Sequence, residues 1–194
     1  MTRVPVSVRR RSPVFIAGEK SMSFTLSQAS LPVCETRLNA LIVVLDKAVA
    51  HAATKKVDPS VLLGWRLAPD MFAFTRQIQV ACDQAKNGLS RLAGVEPPKF
   101  EDNETTVDEL KERLTRTIAH IKTLDAKAID ASADRDITFP LGPKKGQMKG
   151  GDYLNHFVLP NFYFHLTAAY AIARNFGVSL EKRDFLGAVP LTVV

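Results

Sequence analysis

The chain has 194 residues, 46% hydrophobic and 24% charged, the balance of one soluble domain with a sizeable core. No apolar run approaches the roughly 18 residues that span a bilayer, and two distant cysteines, Cys34 and Cys82, with no CxxC, suit a reducing cytoplasm better than a disulfide framework. The formal charge of +6 is concentrated at one end: residues 1–21 carry five basic side chains against Glu19, while the rest is nearly neutral, so neither a nucleic-acid nor a membrane partner is expected.

Residues 1–21, "MTRVPVSVRRRSPVFIAGEKS", combine two prolines with an arginine cluster and have no helical period. They lack the apolar stretch of a secretory signal and read as a disordered extension. Residues 22–187 read as one domain and residues 188–194 as a tail. A first helix is predicted from Leu26 to Thr54, with Leu31, Cys34, Leu38, Leu41, Ile42, Leu45 and Val49 on one stripe and Pro32 in its first turns. The short segment "PSVLLGWRL" follows, and Asp70 is the expected N-cap of a second helix over Met71–Leu92. Its stripe is Met71, Phe74, Ile78, Ala81, Cys82, Ala85, Leu89 and Leu92. "AGVEPPKFEDNE" is a loop, because paired prolines remove two backbone donors.

Thr106 and Glu109 form a capping box at the start of a third helix, whose stripe is Val107, Leu110, Leu114, Ile118 and Ile121. "DRDITFPLGPKKGQMKG" then breaks the helical period and reads as a small hairpin or loop excursion. A fourth helix runs from Asp152 to Asn175, stopped by Gly177, and the remaining tail reads as mostly irregular. Four long amphipathic helices point to an all-α four-helix bundle.

Polar residues on apolar stripes are the candidates for chemistry, because a buried polar group must be paired. His51 and His120 project away from their stripes and read as solvent-facing. Asn161 and His165 lie one turn apart in the middle of the fourth stripe, with Phe157 and Phe164 beside them. Pro160 should bend that helix and free the carbonyl of His156, for Asn161 or water to satisfy. His156, Tyr163 and Tyr170 form a second row, to be covered by the C-terminal tail or by a second subunit in a homodimer. On the second helix, Cys82 lies on the inward stripe and Thr75 near its edge, with Gln79 and Asp83 further out. Convergence of Cys82, Thr75, Asn161 and His165 at mid-bundle is expected, either as a satisfied core cluster or as the polar points of a small-molecule pocket. Phe72, Phe74, Phe157, Phe162 and Phe164 would then supply its apolar lining.

"RLAPDMFAFTRQIQVACDQAK" and "DYLNHFVLPNFYFHLTAAYAIARNFGVSLEKRDFLG" resemble a bacterial family of uncharacterised domains in the DinB-like (YfiT-like) four-helix-bundle superfamily. The resemblance spans roughly Met22 to Gly187. It implies a DinB-like bundle, and relatives similar to metal-dependent hydrolases or thiol transferases. Their divalent metal (zinc, nickel or manganese) is held by one histidine on the second helix and two at i and i+4 on the last. Here His165 matches the second of that pair, Asn161 stands where the first would be, and the second helix offers only Gln79, Cys82 or Asp83. The expected function is therefore small-molecule binding or oligomerisation, with no cofactor and a degraded metal site. The alternative is an enzyme using His165 as metal ligand or general base, with Asn161 and Cys82 as the other candidate ligands.

Overall fold

The structure, a computed structural model, describes residues 24–192. The expectation for residues 1–21 lies outside them. The chain is mostly helical: α1 (Leu26–Lys55), α2 (Ser60–Leu63), α3 (Phe74–Ala93), α4 (Val107–Lys122), α5 (Ala126–Asp130), β1 (Asp136–Leu141), β2 (Lys144–Lys149), α6 (Gly150–Asp152), a π-helical turn (Tyr153–Val158), α7 (Leu159–Asn175) and α8 (Lys182–Leu186). No helix among the described residues is long and apolar enough to cross a membrane.

The long helices follow most of the predicted stripes, except that Val49 and Phe164, expected inward, are exposed. α1 starts at a Thr25–Gln28 capping box and buries Cys34, Leu38, Leu41, Val44, Leu45 and Ala48. The Thr106–Glu109 box opens α4 as expected, and Leu110, Leu114, Ile118 and Ile121 face inward. α1 packs on α4 and α7, and α3 packs on the same two helices. The pairs α1–α3 and α4–α7 are therefore diagonals, which is why long connections join them. Phe74, Ile78, Leu89, Leu114, Phe162 and Ile172 fill the centre with no exposed surface beyond a trace. Each such side chain contributes about 1.5–3 kcal/mol by leaving water.

Several boundaries differ from expectation. α3 begins at Phe74 with Ala73 as N-cap and no side-chain cap, so Asp70 does not fill that role. The Phe74 amide donates instead to the Trp65 carbonyl at 2.9 Å, which folds residues 65–74 into a closed loop. The excursion before the last helix is an antiparallel hairpin pairing Ile137 with Met148 and Phe139 with Gly146. Its tight turn uses Gly142 at φ 57°, the sign a two-residue turn needs at its first position. The tail is not wholly irregular: α8 lies on α1, where Asp184 pairs with Lys47 at 2.7 Å and Phe185 meets Tyr170 edge-on. The second row is thus partly covered by the tail, while His156 is exposed.

The α3–α4 loop is fastened by charge. Arg113 of α4, 1% exposed, contacts Glu104 at 2.8 Å, Asp102 at 2.8 Å and Asp83 of α3 at 3.1 Å. Lys86 donates to the Pro98 carbonyl at 2.7 Å and sits 4.3 Å from the centre of the Phe100 ring. Asp102 and Glu104 of the loop and Asp83 of α3 supply the counter-charges that make the buried Arg113 tolerable, and Asp83 with the Pro98 carbonyl does the same for Lys86.

Candidate functional site

The last helix is built in two parts. The Leu159 amide donates to the Leu154 carbonyl, a π-type bond that admits one extra residue into the turn. Pro160 follows immediately, where its missing amide falls at the join. Asn161 Nδ2 donates to the Phe157 carbonyl at 2.7 Å, rather than to the His156 carbonyl as expected. Phe157 turns to the hairpin, 4.4 Å from Phe139 between ring centres, with Tyr153 completing the cluster. The hairpin therefore anchors the first part of the helix and leaves the second to face α3.

His165 sits at that seam, 8% exposed. Its Nδ1 lies 2.7 Å from Oε1 of Gln77 on α3. The Gln77 amide nitrogen donates to the Phe72 carbonyl at 3.2 Å. The Phe72 ring stacks on the imidazole at 6.2 Å and 19°, and Phe164 meets it edge-on at 5.1 Å. Both phenyl rings are open to solvent, Phe72 at 49% and Phe164 at 58% exposed. The guanidinium of Arg76 stands 5.8 Å from the centre of the Phe72 ring and pairs with Asp102 of the charged loop. Burial, and then the positive charge of Arg76, hold the His165 pKa below its ordinary value of 6.5, so the ring is neutral at neutral pH.

The expected convergence takes a different form. Asn161 is half-buried one turn from His165 but spends its amide on the helix backbone. Thr75 donates to the Leu63 carbonyl at 3.2 Å. Cys82 is fully buried beside Thr117 and Arg113 of α4, and burial pushes its thiol up to about 12. Asp83 faces Arg113 and Lys86, and Gln79 donates to Glu104. Phe74 and Phe162 are core residues, whereas Phe72 and Phe164 flank His165. His120 is half-buried, its Nε2 2.7 Å from the Ser90 hydroxyl, and His51 is half-buried against Phe176, so neither simply faces solvent. The residue that sequence reasoning passed over is Gln77. It falls three residues after Phe74 and one before Ile78, on the buried stripe, and its spacing could have revealed it.

The donors at this seam do not fit a metal tripod. Gln77 offers an amide oxygen already occupied by imidazole, Asn161 is turned to the backbone, and Cys82 lies on the α4 side. Among the described residues no three His, Cys, Asp or Glu side chains gather to hold an ion. What remains is one neutral imidazole with an apolar wall on either side. Such a group accepts a hydrogen bond or a proton.

Residues 26–186 match the model of DUF1993, a domain of unknown function. A crystal structure of a DinB family member protein from Shewanella denitrificans is 37% identical, with a TM-score of 0.82, over 87% of this chain and 96% of that one. No curated protein matches the chain.

Proposed function

The chain belongs to the DUF1993 family of domains of unknown function within the DinB-like superfamily, and we propose that it is a DinB-like four-helix bundle that binds a small molecule at the α3–α7 seam through His165. One observation carries this reading. The imidazole is tied to Gln77 through Nδ1, while its Nε2 has no hydrogen-bond partner among the described residues. Nε2 is not among the buried, unpaired side-chain polar atoms of the described residues, which are Arg37 Nε and Arg113 Nε, as suits a nitrogen that a ligand can reach. An accepting nitrogen between two open phenyl rings suits a ligand with an apolar or aromatic body and a hydroxyl or N–H donor. Cys82, Thr75 and Phe157 are not part of this reading.

Phenol and anisole test it, because they share a ring and differ in the donor. Titration of the protein with each, followed by NMR of the Phe72, Phe164 and His165 rings, should show phenol binding about five-fold more tightly, the worth of one ordinary hydrogen bond. Equal affinity, or no response at these rings, would sink the proposal. Calorimetry with zinc, nickel and manganese tests the hydrolase or thiol-transferase alternative. Stoichiometric binding that disappears in His165→Ala would favour that alternative over the present reading. The exposure of Phe72 and Phe164 also favours a homodimer through this face. Sedimentation of the wild type and Phe164→Ala tests it, a monomer in both cases being the refuting result.

A further inference from the structure

Gln77 is fully buried yet carries no charge and no nucleophile, and its whole side chain is committed to orientation. We propose that Gln77 is a positioning residue that holds His165 in the Nδ1–H tautomer and so leaves the Nε2 lone pair free to accept from a ligand beside Phe72 and Phe164. The inference rests on reading that face as a ligand site.

The Phe72 carbonyl can only accept, so the nitrogen end of the Gln77 amide must point toward it, at 3.2 Å. The oxygen end then faces His165 at 2.7 Å and can only accept in turn. Nδ1 must carry the proton. Flipping the amide would set oxygen against oxygen at one end, so the backbone of Phe72 fixes the whole chain of bonds. A free imidazole in water favours the proton on Nε2, so this arrangement opposes the ring's own preference, as a partner on the other nitrogen can. Phe72 thereby acts twice: its carbonyl sets the tautomer and its ring forms one wall of the site. The consequence for recognition is a choice of ligand chemistry. A ligand offering only acceptors, such as an ether or a ketone, meets a lone pair, whereas an alcohol, phenol or N–H group meets its complement.

Long-range nitrogen–proton NMR spectra of the histidine rings, recorded at alkaline pH, read the tautomer directly, with His165→Gln identifying the signal. The wild type should show the Nδ1–H pattern at His165. Gln77→Leu should return the ring to the Nε2–H form and abolish the roughly five-fold preference for phenol over anisole. An Nε2–H ring in the wild type would overturn the proposal, and that spectrum decides the matter even if Gln77→Leu fails to fold. Persistence of Nδ1–H in a folded Gln77→Leu protein would overturn it equally. Absence of phenol binding with the Nδ1–H tautomer intact would instead defeat the ligand-site reading and leave the role of Gln77 standing.

Discussion

Substituting alanine for Gly88 adds one methyl group where α3 packs against the π-turn that precedes α7. A Cβ at this position would stand 2.6 and 2.8 Å from the two methyl carbons of Val158, and 3.3 Å from its Cβ. Val158 is fully buried in the π-turn, and a β-branched side chain has little freedom to rotate away. Two effects oppose each other. Replacing a mid-helix glycine with alanine gains about 1 kcal/mol in helix propensity. Overpacking a filled core costs about 1–3 kcal/mol. The clash is with stiff atoms, so the cost should win and Gly88→Ala should lose about 1 kcal/mol, or about 2–4 °C in melting temperature. Urea unfolding followed by circular dichroism measures it. Adding Val158→Ala should relieve the crowding, giving a favourable coupling of at least about 0.5 kcal/mol in the double-mutant cycle. A Gly88→Ala protein as stable as the wild type, with no coupling to Val158, would refute the close approach.

Arg113→Leu should destabilise by about 3 kcal/mol, because Glu104 and Asp83 then lose a buried partner; a loss below about 1 kcal/mol would mean that the network behaves as a surface pair. Burial pushes the thiols of Cys34 and Cys82 up to about 12, so neither should react with a thiol reagent in the native state and both should react on unfolding. Fast labelling under native conditions would contradict that burial. His120 and His165 are both held below 6.5, by burial first and by Lys86 and Arg76 second. The unfolded chain therefore takes up protons first, so their neutral forms stabilise the fold fully above 6.5, and that contribution declines as pH falls from 6.5 toward the depressed native values. The urea midpoint should fall across that window and fall less in His120→Gln and His165→Gln; an unchanged slope in both would count against the assignment. Phe185→Ala should loosen α8 from Tyr170 and speed tryptic cleavage at Arg183, with little change in the global unfolding midpoint. An equal cleavage rate would show that the ring does not hold the segment.

Much of the frame could be read from the chain because the four long helices bury continuous stripes. The Thr106–Glu109 box and the glycine turn of the hairpin are local chemistry with fixed offsets. The site was less legible for a different reason. A wheel projection says which face a residue occupies, but two inward faces on neighbouring helices need not meet. Cys82 and His165 are both inward on their own helices, yet Cys82 looks to α4 and His165 to Gln77. Gln77 escaped because an amide does not score as apolar, although its spacing matched the stripe. The pairing of Arg113 with Glu104 crosses a loop and obeys no helical period. α8 has five residues, too few to display one.

The π-turn has a consequence for how this fold tolerates change in length. By absorbing one residue before Pro160, it decouples the rotational phase of the hairpin-facing part from that of the site-facing part. Phe157 can keep its register with Phe139 while His165 keeps its own with Gln77, although a regular helix would lock the two together. Deleting one residue within Tyr153–Val158 would restore ordinary helical bonding and leave the aromatic cluster and α7 in phase, whereas the same deletion in a regular helix would turn one part by about a quarter-turn against the other. In a regular helix the hairpin would have to follow that rotation or separate from the core. The turn thus works as a slip coupling: insertions and deletions on the hairpin side can be taken up there before they reach the ring.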